Sequence, residues 1–236
     1  MRVFVINLDR NTDRMAFVSR QLAERGVAFE RLSAVDGRAL DPAERKRCYS
    51  HVRTLLDRGY GIRAGELGCT LSHVNIYRRM VAEGLDMACV LEDDVMLAPE
   101  FATVLSEIER TIDPVQKRVI QLSSGLKDPD DTGTPEFRRL SSAMFADAYV
   151  ITRPAAAAIL KVNFPVFRVV DAWGRLRSRA GFGLYRYHPT VAWQDFDRFA
   201  TDVRPVLPSW RGSLVWKLWR VFGRTADWFL WKVTGR

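Results

Sequence analysis

No stretch of this chain approaches the roughly 20 consecutive apolar residues that cross a bilayer, so no membrane-spanning helix is expected. Cysteine is scarce. Cys48, Cys69 and Cys89 are odd in number, widely spaced and without a C-x-x-C pair, which argues against a disulfide framework and a structural zinc site. They read as reduced, mostly buried thiols. The opening Met1-Arg2-Val3-Phe4-Val5-Ile6-Asn7 is basic and then apolar, but it turns polar too soon for a secretory signal and has no small-residue cleavage site. A cytosolic location is the expectation. Internal repeats are absent, and no recognisable nucleic-acid module accompanies the basic residues, so nucleic acid is not an expected partner.

What is present is the composition of an ordinary soluble protein, 47% hydrophobic and 27% charged over 236 residues, enough for one sizeable core. The formal charge of +8 calls for an anionic partner. From residue 209 onward Arg211, Lys217, Arg220, Arg224, Lys232 and Arg236 face only Asp227, and five of the seven tryptophans lie there as well. Lys217, Arg220, Arg224 and Asp227 fall on one helical stripe, with Val215, Leu218, Phe222 and Phe229 largely opposite. We therefore expect a main domain over 1–205 and, over 206–236, an amphipathic tail that seats the protein on the inner face of the cytoplasmic membrane through anionic lipid.

Arg2 to Leu8 reads as a buried strand, Asn11 to Arg25 as a helix with Met15, Val18 and Leu22 on one face, and Ala28 to Val35 as a second strand. Asp41-Pro42-Ala43-Glu44 has an N-cap acid, proline at the first helical position and a glutamate three residues on, predicting a helix to about Asp57. Further helices are expected over Glu66–Glu83, Glu100–Thr111 and Pro154–Lys161, with strands over Met87–Leu91, Arg118–Leu122 and Phe145–Ile151. Ser123 to Glu136 is rich in Gly, Pro and Asp and reads as a mobile loop in which Asp128, Asp130 and Asp131 are solvated. Alternation of strands and helices predicts an α/β fold with a mostly parallel sheet covered on both faces.

Chemistry enters at Leu91-Glu92-Asp93-Asp94-Val95, where an apolar run ends on three carboxylates. Acids at a strand end sit at the sheet edge, where they can hold a hard divalent cation and, through it, a diphosphate. A plain solvated turn is the competing reading. Two-residue alternation would aim Glu92 and Asp94 to one side. Asn7, Arg10 and Arg14 follow the first strand; the arginines, four apart, can share a helix face and suit phosphate, though each can equally be a surface charge. His73, alone on an apolar helix face, reads as structural, and Glu66, at the start of that helix, as a partner of the helix dipole. Asp171 follows an apolar run and precedes Ala172-Trp173, so it is either a general base or a helix N-cap.

Asn7-Leu8-Asp9-Arg10 with Asp13-Arg14, Ala34-Val35-Asp36-Gly37, Gly65-Glu66-Leu67-Gly68-Cys69-Thr70-Leu71-Ser72-His73, Leu91 to Val95 and Ala148-Tyr149-Val150-Ile151 stand in an order that resembles glycosyltransferase family 25, including the bacterial lipooligosaccharide galactosyltransferases. The resemblance covers roughly residues 1–195. It implies a GT-A-like fold, a UDP-sugar donor, Mn²⁺ or Mg²⁺, and inverting transfer of a hexose, galactose being the family expectation, to a lipopolysaccharide, lipooligosaccharide or other glycan acceptor.

On that resemblance Glu92 and Asp94 become a D-x-D equivalent. Asp94 ligates the metal, Glu92 contacts donor ribose or metal-bound water, Asp93 joins the donor site, and His188 before Pro189 is a further metal ligand. Asp36-Gly37 is assigned to uridine, with Asn7, Arg10, Arg14 and His73 around the donor. Asp171 is the leading base, beside Trp173 as an indole to stack on a sugar ring, followed by Asp147 and Glu66; Asp147 stands where the family more often has a small or neutral residue. The competing class is a non-catalytic membrane-surface protein that retains the fold, against which the intact Glu92, Asp93 and Asp94 argue.

Overall fold

Val3, Phe4, Val5 and Ile6 are buried in succession, so their strand must be covered on both faces. The computed structural model describes residues 1–125, 131–194 and 198–199; the expected tail over 206–236 lies outside them. The first strand, β1 (Arg2–Asn7), is followed by α1 (Thr12–Glu24) and β2 (Glu30–Ser33), and the two strands pair in parallel. Then come α2 (Pro42–Cys48), α3 (His51–Arg58), α4 (Ala64–Glu83), β3 (Met87–Glu92), β4 (Val95–Leu97), α5 (Phe101–Thr111) and β5 (Arg118–Gln121). The remainder is β6 (Glu136–Arg139), β7 (Ala148–Thr152), α6 (Arg153–Asn163), α7 (Trp173–Ala180), β8 (Gly183–His188) and β9 (Ala192–Gln194).

Seven strands form one sheet in the order β2-β1-β3-β7-β5-β8-β6, and β4 and β9 make a small second one. In the large sheet β7 and β6 run against the other five strands. The fold is thus α/β with a mostly parallel sheet. Val18 and Leu22 of α1 and Phe101 and Ile108 of α5 cover one face. Tyr77 and Met80 of α4, Ala155 and Ile159 of α6 and Trp173 of α7 cover the other.

The helix expected from Asp41 to Asp57 is two helices. Its start is as read: Asp41 accepts from Glu44 N at 2.8 Å, and Glu44 accepts from Asp41 N at 3.4 Å. The chain breaks at Tyr49-Ser50 because a remote segment competes for the backbone: Val166 N donates to Cys48 O and Ser50 N to Val166 O, each at 2.8 Å. That pairing satisfies groups a continuous helix would have used internally. The expected loop ends where β6 (Glu136–Arg139) begins, which pairs with β8 as an edge strand, and at the loop's start Ser123 bridges to Ala192.

Two glycines bring the N-terminus of α4 against the segment after β2. A Cβ on Gly37 would stand 1.9 Å from the carbonyl oxygen of Ala64, and one on Gly68 would stand 2.3 Å from that of Val35. Backbone lies on backbone here, and alanine at either position would push α4 away from the sheet edge. Val35 N, drawn into this contact, donates to Ser72 Oγ at 2.9 Å.

Candidate active site

Parallel strands β1 and β3 end at the same edge of the sheet, where Ile6 pairs with Glu92 and Asn7 reaches the next acid, Asp93. Because β7 is antiparallel to β3, it begins where β3 ends. Asp147, the residue before β7, therefore meets Glu92, whose N–H donates to Asp147 O at 2.8 Å. A cleft of about 610 Å³ opens over this edge. Its floor carries Glu92, Asp93, Asp94 and Asp147. One rim carries Arg10, Asp36, Gly37 and, at the start of α4, Glu66 and Cys69; the other carries Val170 and Asp171, with Arg14 and Gln194 closing the site.

Strand geometry stops at Glu92, and Asp93-Asp94 forms a turn before β4. The expected alternation of faces therefore does not extend through the triplet, and all three acids line the cleft. Asp93 is the buried member, accepting from Asn7 Nδ2 at 2.7 Å and from Arg14 at 3.2 Å. Asp94 accepts from Arg14 and from Gln194 Nε2, both at 3.4 Å. Glu92 lies 3.5 Å from Cys69 Sγ and 3.5 Å from His73 Nε2. Asp147 accepts from Ser123 Oγ at 2.7 Å through one oxygen, while its buried Oδ1 has no hydrogen-bond partner.

Four carboxylates thus converge, and among the described residues Arg14 is the one guanidinium paired with them. Burial raises Glu92, Asp93 and Asp94 above the ordinary carboxylate range, and for Glu92 and Asp94 neighbouring negative charge adds to it. Asp147 is pushed up to about 7, by burial first and then by Glu92 and Asp94. A hard divalent cation fits this donor set, since it would neutralise crowded oxygens and use the unpartnered Oδ1.

The other expected site residues are placed less uniformly. Arg10 and Arg14 both line the cleft, but Arg10 lies in the turn before α1 rather than on the helix. Arg10 pairs with Asp36, whose acidity is increased by the Arg38 N–H and then by Arg10. Gly37 is needed for the close approach of α4, which accounts for it without a nucleotide contact. Glu66 accepts from Arg63 N at 2.8 Å and from Arg58 at 3.3 Å, so it caps α4 while facing the cleft.

Asn7 does not line the cleft. Its amide donates to Asn11 O and Asp93 and accepts from Arg31 Nε at 2.9 Å, making it a brace for Asp93. His73 is wholly buried behind Glu92, its Nδ1 sharing a 2.7 Å hydrogen bond with Tyr149 Oη. His188 is the clear correction. It lies outside the cleft lining, with Nδ1 on Asp131 and Nε2 3.0 Å from Thr132 O, so both ring nitrogens are engaged away from Asp94. Asp131 is correspondingly no solvated loop acid; it also accepts from Thr190 N at 2.7 Å.

Asp171 is exposed at the rim and is not an N-cap, because α7 starts at Trp173 with Ala172 as its cap. Trp173 cannot stack on a sugar. It is fully buried, and its Nε1 donates to Phe145 O at 2.7 Å. Sequence reasoning did not assign roles to Cys69 or Ser123. Cys69 carried a signal in its four-residue spacing from His73, whereas nothing local to Ser123 connects it to Asp147.

The sequence model of Glycosyltransferase family 25 (LPS biosynthesis protein) matches residues 1–138. Human procollagen galactosyltransferase 2 is 32% identical over 221 residues, covering 87% of this chain and 34% of that protein. The putative glycosyltransferase R655 of Acanthamoeba polyphaga mimivirus is 28% identical over 147 residues, 61% of this chain and 43% of its own length. The inactive glycosyltransferase 25 family member 3 of mouse is 35% identical over 113 residues, 45% of this chain and 18% of its own length. The chain thus spans about a third of the human relative and less than half of the viral one. With the match running from β1 through the acid triplet to β6, the chain belongs to glycosyltransferase family 25.

Proposed function

We propose that this protein is a metal-dependent inverting hexosyltransferase that moves galactose from a UDP-sugar to a lipopolysaccharide, lipooligosaccharide or related glycan. The observation that carries the reading is the unbalanced acid cluster: Glu92, Asp93, Asp94 and Asp147 crowd the floor of one cleft, and among the described residues Arg14 is the one guanidinium paired with them. Such crowding is costly unless a cation or a proton relieves it. The galactose assignment follows the human relative, a procollagen galactosyltransferase, and the lipopolysaccharide acceptor follows the family, named for LPS biosynthesis.

Asp94 and Asp147 would hold Mn²⁺ or Mg²⁺, with Glu92 toward donor ribose or metal-bound water. The ion would supply charge neutralisation at the departing diphosphate. Arg10 faces the same cleft and suits phosphate oxygens, Arg14 keeps Asp93 and Asp94 in place, and the Asp36-Gly37 rim accommodates the nucleoside. Asp171, exposed where an acceptor can enter, takes the acceptor hydroxyl proton as the new bond to the anomeric carbon forms and the bond to UDP breaks. Asp147 is buried at the floor and is less suited to meeting an acceptor.

UDP-dependent thermal stabilisation with and without Mn²⁺, measured beside sugar transfer, tests the assignment. Asp94→Ala should lose the metal-dependent stabilisation. Asp171→Asn should keep it and lose transfer by about 10²-fold or more. Unchanged metal dependence in the first variant removes Asp94 from the site; normal transfer by the second removes Asp171 as base. The basic, tryptophan-rich segment 206–236 is proposed to bring the cleft to anionic membrane carrying the acceptor, at the cytoplasmic face. Flotation with anionic liposomes should separate the full chain from a truncation after Pro208, and equal behaviour of the two would exclude this role.

A further inference from the structure

Behind the carboxylate floor lies a different donor set. Cys69 and His73 are four residues apart on α4 and face the same side, toward Glu92 at the end of β3. Cys69 Sγ and His73 Nε2 are each 3.5 Å from Glu92 Oε1, and one ligand atom from each of the three residues falls within 4.8 Å of the others. We propose that Cys69, His73 and Glu92 form a binding site for a borderline-soft divalent cation such as Zn²⁺, with a remaining coordination position toward the cleft.

Geometry supports it. Zinc takes sulfur at about 2.3 Å and nitrogen or carboxylate oxygen at about 2.0–2.2 Å. Tetrahedral angles then require donor-to-donor distances of about 3.3–3.8 Å, a span that includes both 3.5 Å separations. The histidine is prepared for the role. It is wholly buried, and Nε2 has no hydrogen-bond partner, the contact with Glu92 being too long for one. Its other nitrogen meets Tyr149 Oη at 2.7 Å, and that hydroxyl meets Tyr77 Oη at 2.7 Å. A hydrogen bond on the far nitrogen fixes the orientation of a metal-binding imidazole. A buried, unpaired ring nitrogen is otherwise a net cost to the fold.

Donor chemistry separates this site from the proposed Mn²⁺ or Mg²⁺ site. Thiolate and imidazole favour zinc-like ions over hard ones, and only Glu92 is common to both. Burial and the charge of Glu92 keep the Cys69 thiol protonated without metal. Binding then forms a metal–sulfur bond and releases the thiol proton, so affinity should rise with pH.

Co²⁺ is the probe, added to the full chain in a non-thiol reductant without nucleotide or acceptor. One equivalent should produce thiolate-to-cobalt charge-transfer absorption in the near ultraviolet, displaced by Zn²⁺. Cys69→Ser, checked for folding by circular dichroism, should abolish the band, while Asp94→Ala should retain it. His73→Gln should weaken Co²⁺ binding at least about 10-fold. Absence of the band in the unmodified chain, or its survival in Cys69→Ser, would overturn the site, the latter assigning sulfur ligation to Cys48 or Cys89. The band is read without donor sugar, so failure of UDP-dependent stabilisation would sink the sugar-transfer reading and leave this one standing.

Discussion

Asp57 and the acids at the sheet edge are handled differently by the fold. Asp57, at the end of α3, accepts from Arg168 through two guanidinium nitrogens and from Arg175 at 3.2 Å. Two cations serve one carboxylate. At the sheet edge Arg14 is, among the described residues, the one guanidinium paired with Asp93 and Asp94, and none of the described residues brings a guanidinium to Glu92 or Asp147. The first arrangement is closed, joining α3 to the segment between α6 and α7. The second is charge-deficient and opens into a cleft, as expected of a place that completes itself with a ligand. Acid content and burial do not separate structural from functional carboxylates; local charge balance does.

The largest effect should come from opening the closed cluster. Asp57→Ala leaves the buried Arg168 guanidinium without its bidentate carboxylate, and breaking such a pair costs about 3–5 kcal/mol. Urea unfolding measures it directly. A loss below about 1 kcal/mol, the scale of a surface pair, would mean that Arg175 and water serve Arg168 equally well, and the contrast between the clusters would fail.

The contrast was only half legible in the sequence. Val3 to Ile6 announces a buried strand, and an apolar run ending on Glu92, Asp93 and Asp94 announces acids at a sheet edge, because both signals are contiguous. Asp147 could be named as a candidate but not located: its meeting with Glu92 depends on β7 running antiparallel, and strand direction leaves no mark in a short apolar stretch. The break at Tyr49-Ser50 was invisible for a related reason, since its cause is Val166, far along the chain. Trp173 and His188 were misread because their partners, Phe145 O and Asp131, are likewise supplied by folding. Asp57 carried no sequence signal as a structural acid; it lay in what read as an ordinary helix end.

A smaller, pH-dependent effect should sharpen the comparison. Asp147 titrates near 7 in the folded protein, with Glu92, Asp93 and Asp94 also raised, against an ordinary value of about 4 in the unfolded chain. The folded state then holds protons that the unfolded state has released, so stability from these groups is full below about pH 4 and is lost as pH rises through about 7. His73 opposes this at lower pH. Held neutral by burial, with its value lowered to about 3, it withdraws stability as pH falls below its unfolded value of about 6.5. Between pH 6.5 and 8 the carboxylates dominate. In chelator, the midpoint of thermal unfolding should fall by several degrees across that interval, and saturating Mn²⁺ should flatten or reverse the trend. A flat profile in chelator would mean that the cluster is already balanced and would remove the distinction from Asp57.

The smallest effect isolates one member of the cluster. Asp147→Asn keeps the volume and an oxygen to accept from Ser123 Oγ, and it replaces the unpartnered Oδ1 with an NH₂ beside Glu92 and Asp94. At pH 8 in chelator this removes a buried negative charge and adds a donor facing negative neighbours. Stability should rise by roughly 1–2 kcal/mol, with a somewhat smaller gain at pH 6.5, because the cost of Asp147 builds up from about pH 4 and is complete only above about 7. The same substitution should weaken Mn²⁺-dependent stabilisation by UDP, because an amide is a poorer partner than a carboxylate for a hard cation. Opposite signs in the two measurements, more stable without metal and less responsive to it, would place Asp147 among the groups whose strain the cation relieves. Destabilisation at both pH values would make Asp147 a structural anchor for Ser123, and the open cluster would shrink to the triplet at the end of β3.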